Sequence, residues 1–344
     1  MRSPHSTFDG RRDVAEPLAV SFADIINARA RIAGTALCTP LRYCESLSVR
    51  MKTATALKIE TMQPTGSFKV RGAANQIACL TPEQTKRGVI TVSTGNHGRA
   101  VAYVARAKGL KCTVCVSGLV PPNKVAAIRE LGARVEIFGD DQDAAVLHAR
   151  DLANRNGFAL IHPFDHPLIV AGQGTIAVEI IDAMPDVGTI FVPVSGGGLA
   201  SGVALAAKTM RPGCRIVGVS SDRCPAMLRS LEAGKPVTTA ERPSLADSLG
   251  GGIGLDNAVT FRLVREFVDE IRLVSDQQVA DAMRFAFRTE RLVLEGAGAA
   301  ALAAVMANPT PFKSPVAIIL TGDSVDMDLF LSVATSTGKF RVAN

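Results

Sequence analysis

The stretch Thr189-Ile190-Phe191-Val192-Pro193-Val194-Ser195-Gly196-Gly197-Gly198-Leu199-Ala200-Ser201-Gly202 changes character twice. It opens as an unbroken apolar run, which reads as a strand buried on both faces. It closes as an Ala-rich segment of helical type, and a triple glycine lies between. Consecutive glycines lose much chain entropy on ordering and are useful where backbone amides must crowd an anion, here at the N-terminus of the following helix. Phosphate is the natural guest. The spacing is not the dinucleotide fingerprint G-x-G-x-x-G, the next strand ends at Ser220 instead of an acidic residue, and no Gly-Lys-Ser/Thr completes a P-loop.

The same strand, loop and helix order recurs along the chain. Val89-Ile90-Thr91-Val92, Cys112-Thr113-Val114-Cys115-Val116 and Arg134-Val135-Glu136-Ile137-Phe138 read as buried strands. Between them, helical patterns over residues 99–108 and 123–131 end at Gly109 and Gly132, as helix C-caps do. Ile216-Val217-Gly218-Val219 and Val316-Ala317-Ile318-Ile319-Leu320 supply later strands, and an amphipathic helix opens near Ser21. Such alternation implies an α/β protein with parallel sheets flanked by helices, whose ligands sit at the carboxyl ends of the strands. The small-residue run from Gly296 to Ala307 is too short to span a bilayer and fits a closely packed buried helix.

Composition narrows the class. At 344 residues the chain suits two lobes. Hydrophobic residues form 47% and charged ones 20%, which excludes disorder except at the polar ends. The net charge of +6 is scattered, without a basic stripe or interleaved aromatics, so neither nucleic acid nor membrane is an expected partner. The 7 cysteines form no framework and no secretory leader is visible, which places the chain in the cytoplasm. Cys112 and Cys115, on a strand, should face opposite sides of its sheet and pack in the core; no metal site is expected.

Three further segments carry chemistry. Pro64-Thr65-Gly66-Ser67-Phe68-Lys69-Val70-Arg71-Gly72-Ala73 sets one lysine behind a small turn and a ring. Burial and neighbouring positive charge would leave its amine partly neutral, as an imine-forming lysine requires, although a helix-start lysine gives the same pattern. Ser93-Thr94-Gly95-Asn96-His97-Gly98 follows a strand and suits a carboxylate at a helix N-terminus, or a plain N-cap turn made by Ser93 or Asn96. Leu320-Thr321-Gly322-Asp323-Ser324 brings a hydroxyl to the end of the last strand, or makes a structural turn. A lysine, an anion cradle and a hydroxyl together point to pyridoxal 5'-phosphate, which needs an imine partner, a phosphate pocket and a partner for its ring nitrogen.

With these motifs in this order, the chain resembles the threonine/serine dehydratase family of fold-type II pyridoxal-phosphate enzymes over residues 37–326. The resemblance implies a large cofactor-binding lobe formed by residues 1–83 and 166–344, a small lobe of residues 84–165, and a homodimer. It implies that Lys69 is the Schiff-base lysine, Phe68 packs beside the ring, Asn96 bonds the 3-hydroxyl, and Ser195, Gly196, Gly197, Gly198 and Leu199 cradle the phosphate. Thr321 would face the pyridine nitrogen, and Ser93, Thr94, Gly95 and His97 the substrate carboxylate. The implied reaction is loss of water from a β-hydroxy α-amino acid, giving a 2-oxo acid and ammonia. Racemisation or β-replacement on the same scaffold are the alternatives; a non-catalytic binding protein would have no need of the lysine.

Departures qualify the likeness. Residues 244–257, Ser-Leu-Ala-Asp-Ser-Leu-Gly-Gly-Gly-Ile-Gly-Leu-Asp-Asn, resemble the hydroxyectoine-utilisation branch, which implies a hydroxylated diaminobutyrate derivative as substrate. Thr321-Gly322-Asp323-Ser324 replaces a more usual Ser-Gly-Gly-Asn, so a carboxylate enters near the ring or points to solvent. Ser220 stands where cation-binding relatives carry an acid, and Thr94 where racemising ones carry a serine. No regulatory module is expected after Asn344.

Overall fold

A computed structural model describes residues 17–336, apart from Thr94, Leu119, Pro121 and residues 309–311. Its strands are β1 (Leu41–Tyr43), β2 (Thr55–Ile59), β3 (Val89–Val92), β4 (Cys112–Val116), β5 (Arg134–Ile137), β6 (Ala159–Leu160), β7 (Thr189–Pro193), β8 (Arg215–Ser221), β9 (Glu270–Val274) and β10 (Val316–Leu320). They form two sheets. The larger runs β1-β2-β10-β7-β8-β9, and the smaller β5-β4-β3-β6. Only β1 is antiparallel, pairing Leu41 with Lys58. All other pairings are parallel, as helical crossovers between strands require.

The unbroken apolar runs have the burial expected of strands covered on both faces. Along β7, Ile190 and Val192 enter one core cluster, and Phe191 between them enters another on the opposite face. On β10, Ala317 and Ile319 share the first cluster, while Val316, Ile318 and Leu320 share the second. Fully burying one such side chain contributes about 1.5–3 kcal/mol. The Gly296–Ala307 helix is buried from Gly296 to Val305 and lies across β7, β8, β9 and β10. Its Gly298 touches the turn after β10, where a Cβ would come 2.2 Å from the Gly322 carbonyl oxygen.

Cys112 and Cys115 occupy separate clusters on the two faces of the small sheet, and burial pushes their thiols up to about 12 and about 11. The fifth strand departs from expectation. It forms the sheet edge, and Ile137 and Phe138 are 55% and 48% exposed, so a run read as buried is largely solvated. The helix after β3 begins at Asn96 instead of Arg99, with Gly95 at its N-cap and no side-chain cap bond. Among the described residues no helix is long and apolar enough to cross a membrane.

The Lys69–Ala78 helix packs on both the Asn96–Ala107 and Pro167–Ala183 helices. Gly172 makes the second contact close, since a Cβ there would lie 2.7 Å from the Arg71 carbonyl oxygen. A buried cluster of charges fixes this junction. Arg71 forks onto Glu60, Nε to Oε2 and Nη2 to Oε1 both at 2.8 Å, and onto Glu179, Nη1 to Oε1 at 2.6 Å and Nη2 to Oε2 at 2.8 Å. Lys58 Nζ donates to Glu179 and to the Thr39 carbonyl. Burial alone would push the Glu60 carboxyl up, but Arg71 and Lys58 outweigh it and hold it below its ordinary 4.5.

Breaking this cluster should be costly. Arg71→Ala leaves two buried carboxylates without their fork and is expected to lose about 3–5 kcal/mol in denaturant unfolding. Arg71→Lys, with one point charge, should fall between it and wild type. Because the folded Glu60 pKa is depressed, its stabilisation is complete above pH 4.5 and is lost as pH falls through the lower folded value. Wild-type unfolding midpoints measured below pH 4.5 should therefore decline.

Candidate active site

Lys69 is placed by the turn before it. Gly66 has φ +70°, and the Asp323 side chain fills the space where a Cβ would project. Ser67 bridges Gly322 in antiparallel fashion, and the Phe68 N–H donates to the Thr321 carbonyl at 3.1 Å. The end of β10 thus holds the start of the lysine helix. Lys69 Nζ donates to the Pro163 carbonyl at 2.8 Å and lies 5.3 Å from the Phe68 ring centroid. Burial pulls its amine down to about 8, against the Glu295 carboxylate, which favours the charged form. The expected neighbouring positive charge is not the cause; desolvation is.

The glycine loop follows β7 and has no room for side chains. A Cβ on Gly196 would lie 2.4 Å from the Phe164 ring, and one on Gly198 2.9 Å from the Phe164 carbonyl oxygen. Gly197, the N-cap of the Gly198–Met210 helix, has φ +90°, in the left-handed region. Thr260 Oγ1 donates to the Gly196 carbonyl at 2.7 Å, and Ser195 Oγ to that of Gly250 at 3.3 Å. The Leu199 side chain is buried in the large core, so only its backbone is available to the loop. Asp165 accepts from the N–H groups of Ala258, Val259 and Thr260, which pins the Phe164 segment over the cradle.

Asn96 and His97 form the first helical turn beyond Gly95. Asn96 Nδ2 donates to Glu295 Oε1 at 2.7 Å, while its Oδ1 is buried and, among the described residues, has no hydrogen-bond partner. His97 Nε2 pairs with the Ile161 carbonyl at 3.1 Å, and burial, then the Lys69 charge, lowers its pKa to about 3, so the ring is neutral. Ser93 Oγ accepts from the Gly95 N–H at 3.4 Å. Nothing lies within 4 Å of a Cβ built on Gly95, so that backbone borders open space. Thr94 lies outside the described residues. The Thr321 hydroxyl is buried and, among the described residues, reaches only the Ala297 carbonyl, at 3.5 Å.

Sequence reasoning missed Glu295, Pro163 and Phe164. Glu295 had one signal, an isolated acid directly before an apolar helix; the other two act through a carbonyl and a ring face that no pattern marks. Asp323 is half-buried against Gly66, and burial raises its pKa although Arg99 opposes.

Pyridoxal phosphate fits these residues. Its aldehyde calls for an amine of lowered pKa, its phosphate for a cradle too tight for any Cβ, and its ring oxygen for a polar partner such as the unpaired Asn96 Oδ1. Gly196→Ala and Gly197→Ala should each weaken pyridoxal-phosphate binding to the apo-protein at least tenfold in an absorbance titration, at an expected loss of about 1.4 kcal/mol or more. Gly109→Ala, at φ +67° with open space around it, should strain the chain without changing that affinity.

Known proteins resemble this chain over most of its length. A family model described as pyridoxal-phosphate dependent enzyme matches residues 32–322. A Sinorhizobium fredii protein named as a threonine dehydratase is 48% identical over 91% of this chain and 95% of its own. The L-threonine ammonia-lyase of Thermotoga maritima is 37% identical over 90% of this chain and 77% of its own. Among solved structures, maize serine racemase superposes with a TM-score of 0.86 at 32% identity, covering 91% of this chain and 96% of that one. Threonine deaminase isoform 2 of Solanum lycopersicum gives 0.83 at 30%, covering 96% and 99%. A buried lysine and a glycine loop too tight for side chains, on this fold and with these relatives, mean that the chain belongs to the fold-type II pyridoxal-phosphate-dependent enzymes, in the group of the threonine dehydratases.

Proposed function

We propose that this lyase removes water from a β-hydroxy α-amino acid and releases ammonia and a 2-oxo acid. One observation carries the reading: the Lys69 amine, lowered to about 8 by burial, stands beside a neutral His97 and a helix N-terminus that suits a carboxylate. Bound pyridoxal phosphate supplies an electron sink that acidifies the Cα–H of an amino acid joined to it. The protein's part is then positional. The Asn96–Ala107 helix N-terminus, with Ser93, Gly95 and His97, holds the substrate carboxylate, and Thr94 belongs to the same loop. Lys69, neutral once released, takes the Cα proton as general base. Thr321 offers the ring nitrogen a neutral hydroxyl instead of a carboxylate, which limits charge spread into the ring and favours elimination. Ser195 to Leu199 would hold the phosphate, and Phe68 would pack beside the ring.

We read residues 84–165 as a lobe that closes on the rest and excludes water. Contacts that cross the cleft support this: Lys124 to Asp247 at 3.5 Å, Arg150 to Asp256 at 3.2 Å, and Arg99 Nη1 to Ser324 Oγ at 2.8 Å. Exposed Leu37, Tyr43 and Met62 on the large lobe fit a homodimer, and 7 unpaired cysteines fit the cytoplasm. The segment from Ser244 onward reaches the phosphate loop through Gly250, so its sequence bears on substrate choice.

Purified, cofactor-loaded protein should release ammonia and a 2-oxo acid from one of L-serine, L-threonine, 3-hydroxyaspartate or a hydroxylated diaminobutyrate derivative, and Lys69→Ala should lower that turnover at least a thousandfold. Racemised substrate without ammonia would replace elimination with racemisation, which the likeness to serine racemase makes the second reading. The lysine also sets a pH dependence. Only its neutral amine attacks the cofactor aldehyde, so capture of pyridoxal phosphate by apo-protein should quicken as pH rises through about 8 and level off above. Stopped-flow absorbance reads this rate; a rise continuing to pH 10 would show a lysine of ordinary pKa.

A further inference from the structure

We infer that Glu295 is a positioning residue that dictates which end of the Asn96 amide faces the cofactor's 3-oxygen. The inference rests on the proposed pairing of Asn96 with that oxygen.

Glu295 occupies the N-cap of the Gly296–Ala307 helix, where a carboxylate usually accepts from the helix N–H groups, yet it makes no such bond. Its side chain, on a residue 4% exposed, turns instead to Asn96, and among the described residues its one side-chain hydrogen bond is the 2.7 Å contact from Nδ2. The backbone fixes the turn: the Glu295 N–H donates to the Gly322 carbonyl at 3.1 Å, and a Cβ on Gly322 would come 2.6 Å from Oε1. A glycine after Thr321 is therefore what gives the carboxylate its place.

The consequence follows from donor and acceptor chemistry. An ionised carboxylate only accepts, so it must take the NH2 end of Asn96 and leave Oδ1 pointing away. That is the atom left without a partner. An Asn96 that presents an acceptor favours a 3-oxygen that keeps its proton. A protonated Glu295 can donate, which lets the amide turn, bond through Oδ1 and present Nδ2, and this favours the deprotonated 3-oxygen. One proton on Glu295 thus releases the constraint on the polarity that Asn96 shows the ring.

The groups that face Glu295 come from several elements. Asp247 and Asp323 disfavour its charge, Lys124 and the Asn96 hydrogen bond favour it, and Lys69 is coupled to it from the lysine helix. Burial is the largest influence and raises its pKa to about 8, which brings the proton within reach of ordinary assay conditions.

The test reads the absorption spectrum of the cofactor-loaded protein, in which protonated and deprotonated 3-oxygen give separate bands. Wild type is expected to show a change in band ratio between pH 7 and 9, absent in both Asn96→Ala and Glu295→Gln. At pH 9 the share of the deprotonated band should be at least twofold higher in Glu295→Gln than in wild type, because a neutral amide no longer forces the Asn96 orientation. An unchanged ratio and profile in Glu295→Gln, with a spectrum altered by Asn96→Ala, would overturn the role of Glu295 and leave the Asn96 pairing standing. A spectrum untouched by Asn96→Ala would remove the pairing itself, and the inference with it. Should Glu295→Gln fail to fold, the wild-type and Asn96→Ala profiles decide: an inflection present in both, or in neither, contradicts the coupling.

Discussion

The double fork of Arg71 onto Glu60 and Glu179 is the constraint on which the site depends. Buried charges persist only where partners meet them at hydrogen-bond geometry, so the four ionic groups hold β2, the lysine helix and the Pro167–Ala183 helix in one arrangement. Arg71 and Lys69 are two residues apart on one helix, about 200° around its axis. One therefore points into the ionic junction while the other reaches the Pro163 carbonyl. The turn before the helix is held independently, through Phe68 to Thr321 and Ser67 to Gly322. Lysine position is thus defined from both sides, as a reaction sensitive to small displacements requires.

Around Lys69, desolvation does most of the chemical tuning. Lys69, His97 and Glu295 are each displaced toward their neutral forms by burial, and neighbouring charges only modify the outcome. A site poor in fixed charge orients its ligands through neutral hydrogen bonds, backbone amides and helix ends, which a low-dielectric setting strengthens. The glycine cradle follows the same logic. Its residues lack side chains because Phe164, Met227 and Thr260 already occupy the volume, leaving only N–H groups to meet an anion.

The strands of both sheet centres were legible because burial on two faces demands unbroken apolar runs, as at β4, β7 and β10. Others were less so. β2 carries Lys58, a charge that this buried strand holds because Glu179 stands beside it, and β5 reads as apolar although it forms a sheet edge. The glycine loop and Thr321 stood out as candidates because each follows a strand, and Lys69 because it stands behind a tight turn in a local motif. Glu295 was not, for its partner Asn96 is 199 residues away in the chain.

What the sequence by itself determined is therefore local and periodic: parallel α/β layers, the lysine behind its turn, the anion cradle and the hydroxyl after the last strand. These follow from side-chain period and from glycine's backbone freedom, which act over a few neighbouring residues. Only the tertiary structure decided what charge each group carries and what it touches. Desolvation depends on everything packed around an atom, and that packing brings Asn96 to Glu295, Arg71 to Glu179 and Phe164 to the glycines, from distant parts of the chain.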